Sequence, residues 1–314
     1  MRKRGKAVSL LGLLQALAVV TIVLSIVTLL DVPHRNIELF SHFRLQYFVA
    51  AALLTIAFVV LKSAPYAAAL GLMTIINGSL VVPWYLPVKD GPSATGELKL
   101  IHANVYSRNK KYEKVAALVD RENPDLVFLQ EVTEDWATAM QGLLPDYPYS
   151  YTQARTGNFG IAVFSKMPFD SITHIDSPPL GYPTIIASVR LGESSTTIIS
   201  SHPTIPLGRH LNDARNEHIR DIAERVRTTP GNIVLLGDFN ESMWGPRYRG
   251  LVDTTGLKAA RRGFGVVPTW PTFFPIAMIP IDHVFVSPDI GIAEFRSGHR
   301  IGSDHLPLIV TLSL

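Results

Sequence analysis
The chain has 314 residues, enough for one large domain or two smaller ones and for a real buried core. Its formal charge of +3 is too small to argue for nucleic acid as a partner, and the lack of any cysteine excludes disulfides and thiolate metal sites. The chain is apolar on average, but that apolarity is concentrated near the N-terminus, and the remainder has an ordinary soluble composition.

Three apolar stretches come first. Residues 7–30 carry no charge and exceed the roughly 20 residues that span a bilayer. Residues 45–61 are slightly short by that standard, and residues 64–82 form a third span with Tyr66, Trp84 and Tyr85 at its edges. The first stretch is too long for a cleaved signal peptide, and two more spans follow it. Arg2, Lys3, Arg4 and Lys6 favour a cytoplasmic N-terminus. Three crossings then make this a multi-pass cell-membrane protein whose remaining chain is extracytoplasmic; miscounting one span, the second most readily, reverses the side. The expected division is a membrane anchor over 1–86, a Pro/Gly/Ser-rich linker over 87–96 and a second domain over 97–314.

Within that domain a strand is expected over 97–104 and a helix over 110–122, which ends before Asn123-Pro124. Strands follow over 125–130, 159–165, 184–191 and 196–201, the last two joined as a hairpin around Gly192-Glu193. An amphipathic helix over 210–227 precedes strands over 232–236, 281–287, 293–297 and 306–312. Many strands, few helices, and hairpins mixed with crossovers argue for a layered α/β sandwich rather than a doubly wound parallel sheet.

Short polar motifs directly follow several of these apolar strands, where burial is costly unless the groups converge on a ligand, a metal or one another. Asn104 in "HANVYS" offers a neutral oxygen or forms a turn, and Glu131 after "LVFLQ" offers a carboxylate to a metal or to a buried partner. Together they suit a hard, partly hydrated Mg²⁺ or Mn²⁺ site. In "GDFN" the glycine allows a tight turn. Asp238 could orient or deprotonate water, and Asn240 could bind a phosphoryl oxygen or hold Asp238; an Asx-type turn is the plainer reading. In "SDHLP" one His305 nitrogen can face phosphate if a carboxylate holds the other. Asp282 in "IDHVF" is the expected holder, brought beside it by strand pairing, while Asp304 supports the site. His202 in "SSHP" is either a second imidazole for phosphoryl charge or a structural residue. His283 is expected to face away, and no role falls to His34, His42, His102, His174, His210, His218 or His299. "TFFPIAMIP", over 272–280, is unusually apolar for a loop, fit either to pack on the core or to dip into a membrane surface.

In this order, Asn104, Gln130-Glu131, His202, "GDFN", "IDHVF" and "SDHLP" resemble the endonuclease/exonuclease/phosphatase superfamily. It includes deoxyribonuclease I, AP endonucleases, inositol polyphosphate phosphatases and neutral sphingomyelinases. The resemblance implies a four-layer α/β/β/α sandwich of deoxyribonuclease I type and Mg²⁺-dependent phosphoester hydrolysis. It further implies Glu131 as principal metal ligand assisted by Asn104, with Asp238 activating water and Asn240 positioning it. His305, paired with Asp282, would contact phosphate beside His202, with Asp304 in support. A bilayer partner and a lipid-linked or extracellular phosphoester are expected, with nucleic acid or a non-catalytic sensor as alternatives and no protein partner inferred.

Overall fold
The computed structural model describes residues 9–30, 35–88, 96–191 and 194–313. The chain divides into two compact units, Met1–Pro83 and Trp84–Leu314. Most of the expected linker, residues 89–95, lies outside the described residues, as does the Gly192-Glu193 turn.

The first unit holds α1 (Leu10–Val27), α2 (Arg35–Ser41), α3 (Arg44–Val60) and α4 (Ala64–Val81). Ser9 caps α1 by accepting the Gly12 N–H at 3.1 Å. Ala18, Leu54, Phe58 and Leu70 form the small core. Leu10, Val20, Ile56, Val60 and Ile75 point outward although apolar, a pattern that suits lipid better than water. Inside, Asn77 Nδ2 donates to Ser25 Oγ at 2.9 Å and Arg44 donates to Asn77 Oδ1 at 3.2 Å, so the buried polar groups satisfy one another. Among the described residues two helices, not three, are long and apolar enough to cross a membrane, Leu10–Val27 and Ala64–Trp84. The expected middle span is corrected: α3 has 17 residues and reaches crossing length only together with α2, across a 62° bend.

The second unit contains two six-stranded mixed sheets. In the first, β1 (Glu97–Asn104) pairs parallel with β2 (Leu126–Gln130), and α5 (Tyr112–Glu122) connects them. After α6 (Glu134–Leu143), β3 (Tyr149–Gln153) and β4 (Ile161–Ser165) extend that sheet. The second sheet starts with β5 (Ser171–Ser177), β6 (Tyr182–Leu191) and β7 (Ser194–Ser200), and α7 (Gly208–Thr228) crosses to β8 (Asn232–Asp238) in parallel. Then come α8 (Pro246–Thr255), β9 (Lys258–Ala259), β10 (Asp282–Val286), β11 (Gly291–Ser297) and β12 (Leu308–Ser313). The strand orders are β11-β12-β1-β2-β4-β3 and β5-β6-β7-β8-β10-β9, so the last two strands return to the first sheet.

The sheets face each other across one apolar core. Leu98, Leu100, Leu126, Phe128, Ile161 and Val163 meet Ile185, Ala187, Ile198, Val234, Leu236 and Val284. The alternate residues of the first sheet, such as Ile101, Val127 and Leu129, pack instead with Val115, Leu118, Trp136 and Met140 of α5 and α6. On the second sheet α7 turns Ile219, Ile222 and Val226 inward and lies beside β5 and α8. This is the α/β sandwich expected from the strand pattern. Residues 242–270, to which the sequence pattern assigns no helix or strand, hold α8 and β9. Trp84 and Tyr85, expected at the edge of a span, lie in this unit: the Trp84 carbonyl accepts the Gly263 and Gly265 N–H groups at 3.0 and 2.9 Å.

Candidate active site
The alternation that builds the core continues past it, and at one end of the sandwich the inward positions turn polar. Leu98 and Leu100 are followed on the same face of β1 by His102 and Asn104, and Leu126 and Phe128 of β2 by Gln130. Val234 and Leu236 of β8 are followed by Asp238, while antiparallel β10 opens with Asp282 before Val284 and Val286. Register sets Asn104 opposite Gln130 and Asp282 opposite Asp238. His202 lies just beyond the end of β7, and His305 just ahead of β12. All of these side chains are buried.

Gln130 fastens the two sheets together here. Its Nε2 donates to the Ser201 carbonyl at 2.8 Å, and its Oε1 accepts the Asp238 N–H at 2.9 Å. A Cβ at Gly237 would collide with the Ser201 carbonyl oxygen and sit 2.9 Å from Gln130 Nε2. The glycine of "GDFN" is therefore required by close approach within β8, not by the turn expected from sequence.

Asp282 is enclosed by two imidazoles. Its Oδ2 accepts from His305 Nδ1 at 2.8 Å, and its Oδ1 accepts from His102 Nε2 at 3.0 Å. The expected Asp282–His305 pairing is present in the fold. Burial opposes charge on Asp282, yet His305 and then His102 hold its carboxyl well below the usual carboxylate range. Burial likewise pushes His305 down, but Asp282 and Asp238 more than reverse this and raise its pKa to about 10. Arg261 donates to the Asp282 carbonyl and fixes the strand at this point.

Asp238 has a looser surrounding. Its Oδ1 accepts the Asn240 N–H at 2.9 Å, the Asx-type turn that "DxN" suggested. Its Oδ2 lies 3.3 Å from Asn104 Nδ2, 3.5 Å from His202 Nε2 and 3.6 Å from His305 Nε2. Burial pushes His202 down, and Asp238 outweighs this to raise it. Two imidazole nitrogens thus aim at one carboxylate oxygen without tight bonds to it.

Glu131 follows β2 with φ 62°, a left-handed conformation that is unusual for a carboxylate residue and turns it off the strand. Its oxygens accept from Asn104 Nδ2 and the Ser107 N–H, each at 3.0 Å. Asn104 Oδ1 accepts the Tyr106 N–H, so the amide nitrogen, rather than the oxygen expected to assist a metal, faces the carboxylates.

Asp238, Asp282 and His305 each bring a ligand-type atom within 4.8 Å of one another. Asp282 is the weakest of these as a metal ligand, because both of its oxygens already accept imidazole N–H groups. Glu131 and Asp238 fit a divalent cation better. They are buried, they share the Asn104 amide, and among the described residues neither is paired with lysine or arginine. Hard, buried oxygen donors that no lysine or arginine pairs are what Mg²⁺ or Mn²⁺ would bind.

Asn240 lies beyond the end of β8 and does not continue the strand. It adopts φ 50°, and its Nδ2 donates to the Pro203 carbonyl at 3.0 Å, tying the loop after His202 to the site. Asp304 is only partly buried, and its Oδ2 accepts from Trp270 Nε1 at 3.1 Å. His283 faces away as expected: its Nε2 donates to the Glu241 carbonyl at 2.7 Å amid Phe239, Tyr248 and Phe285. The sequence reading missed His102, whose signal is its place two residues before Asn104 on the same strand face. It also missed Phe159, stacked on Tyr182 and 5.3 Å from the His202 ring.

The family model for the Endonuclease/Exonuclease/phosphatase family matches residues 101–305, a stretch that includes every polar residue of the site described above. Among solved structures, the endonuclease/exonuclease/phosphatase from Beutenbergia cavernae DSM 12333 is 18% identical, with 69% of this chain and 72% of that one covered at TM-score 0.58. D. rerio TDP2 complexed with single strand DNA product is 16% identical, covering 70% of this chain and 100% of that one at TM-score 0.59. Beta toxin from Staphylococcus aureus is 17% identical, covering 68% and 99% at TM-score 0.51. These identities establish likeness of fold. No curated protein matches the chain. With its site residues at the strand ends of a two-sheet sandwich and the family model spanning them, the chain belongs to the endonuclease/exonuclease/phosphatase family.

Proposed function
We propose that the second unit is a divalent-metal-dependent phosphoester hydrolase whose substrate is a lipid-linked or extracellular phosphoester. The observation that carries this reading is the set of three groups around one point: Asp238 Oδ2 faced by His202 Nε2 at 3.5 Å and His305 Nε2 at 3.6 Å, with Asp282 holding the far side of His305. In the reaction Asp238 orients the attacking water and takes its proton at Oδ2. His305 and His202 donate from Nε2 to the phosphoryl oxygens, where negative charge grows as the water oxygen bonds to phosphorus; the ester P–O bond opposite it breaks, and the departing oxygen takes a proton from solvent. Asp282 keeps His305 turned toward phosphate and protonated. Glu131, with Asp238 near it, would hold the cation, which when bound supplies Lewis-acid stabilisation of phosphoryl charge.

Tethering to a bilayer raises the local concentration of lipid-borne substrates, and the two crossing-length helices support that setting. The side of the membrane follows from the bent α2–α3 pair: an extracytoplasmic site requires that it cross. A nucleic-acid substrate is the second reading. It draws on the likeness to D. rerio TDP2 complexed with single strand DNA product, and the small net charge weighs against it.

Full-length protein is expected to hydrolyse bis-p-nitrophenyl phosphate with saturable dependence on Mg²⁺ or Mn²⁺, to stop on addition of EDTA, and to lose turnover in His305→Ala. Turnover unaffected by EDTA and by this substitution would remove the assignment.

A further inference from the structure
Two loops that leave the site carry apolar side chains into solvent. In the first, Phe273 is 74% exposed, Phe274 54% and Ile276 79%. This loop is fastened to the "SDH" motif. The Thr272 N–H donates to the Asp304 carbonyl at 2.9 Å, Thr272 Oγ1 donates to the Ser303 carbonyl at 3.0 Å, and Trp270 donates to the Asp304 carboxylate. The second loop follows His202, is tied to Asn240 through the Pro203 carbonyl, and exposes Ile205 and Leu207. Exposed Arg300 donates to the Thr272 carbonyl, which puts a cation at the base of the first loop.

Single exposed apolar residues are ordinary, but a Phe-Phe-Pro-Ile run is costly to keep in water. Its placement matters because both loops are bonded to residues that flank the reacting groups. We propose that these loops form a lipid-contact rim that seats the mouth of the site on a bilayer surface. The phosphoester is then one carried by a membrane amphiphile. The proposal rests on the phosphoesterase reading for its substrate, not for its surface. A bilayer fits better than a protein partner because loop tips insert between head groups, whereas a stable protein contact needs about 800 Å² of fitted surface per partner. A guanidinium beside aromatic tips is also the pairing that meets phosphate head groups above acyl chains.

The chain has no cysteine, so Phe273→Cys takes one environment-sensitive fluorophore in full-length protein. Ser171→Cys, at the opposite end of the second sheet, serves as the control. In vesicles of phosphatidylcholine and phosphatidylglycerol, a nitroxide lipid should quench the label at 273 at least about threefold more than at 171, and iodide should reach it correspondingly less. Equal iodide access at the two positions overturns the proposal, and protection from both quenchers does so as well, since that means protein contact. In parallel, Phe273→Ser/Phe274→Ser should keep bis-p-nitrophenyl phosphate turnover within about twofold yet lose about tenfold on vesicle-borne hexadecyl p-nitrophenyl phosphate. Unchanged turnover on both probes overturns the substrate claim. Wild-type inactivity on both probes with Mg²⁺ and Mn²⁺ sinks the phosphoesterase reading instead, while the quenching result still decides the surface.

Discussion

Two carboxylates face each other across β8 and β10, and their surroundings differ sharply. Asp282 has each oxygen bonded to an imidazole, at 2.8 and 3.0 Å. Asp238 has one oxygen held by its own turn and the other set loosely among an amide and two imidazoles, at 3.3 to 3.6 Å. A carboxylate with an imidazole on each oxygen has less open acceptor capacity for water or metal, which suits Asp282 to position and charge its neighbours. An under-bonded one at the same register can do chemistry. Identical residue types, paired strand to strand, thus divide into a holder and a reactive group through hydrogen bonding alone.

The largest effect should come from Asp238→Asn, which removes the proton acceptor while keeping shape; metal-dependent turnover should fall by at least about a thousandfold with an unchanged far-ultraviolet circular dichroism spectrum. Asp282→Asn should cost less, about a hundredfold, because it frees His305 without deleting it. It should also change the pH response. His305 has a folded pKa raised from 6.5 to about 10. Its stabilising contribution is therefore present in full below about pH 6.5 and lost as pH rises toward 10. Denaturation midpoints of EDTA-treated protein should show that alkaline loss, and Asp282→Asn should flatten it.

His102→Ala sharpens the comparison further, since it opens one side of Asp282. Turnover should fall by about tenfold, mainly in kcat, and His102→Gln, which still donates, should recover part of it. An equal loss in both variants would mean that His102 only packs. The smallest effect lies away from the site. Burial pushes Glu122 up, but Arg296 and Lys99 outweigh it and bring its pKa down to about 2. That stability is present above about pH 4.5 and lost as pH falls toward 2. Glu122→Gln should remove this slope and lower Tm near neutrality by only about 2 °C.

Much of the site was legible because its residues extend apolar, alternating strands: the run ending in Asn104 coincides with β1, and Asp282 does meet His305. What was hidden has physical causes. His102 bonds a carboxylate 180 residues away, a distance no local pattern encodes. The role of Gly237 depends on a carbonyl from β7's extension, and the pose of Asn240 on a left-handed backbone that spacing cannot reveal. The middle span, counted over 45–61, is the unbroken α3 and was already slightly short; hydropathy does not register the 62° bend that separates it from α2. Helix α8 passed for loop because its run from Pro246 carries two arginines and a glycine in place of an apolar stripe.

The most direct measurement is Mn²⁺ binding by the full-length protein, followed by electron paramagnetic resonance, beside Glu131→Gln and Asp282→Asn. The account predicts saturable binding that Glu131→Gln abolishes and Asp282→Asn leaves within a few-fold of the parent. Binding that survives Glu131→Gln but disappears in Asp282→Asn would contradict it, because the cation would then sit on the carboxylate assigned here to the imidazoles.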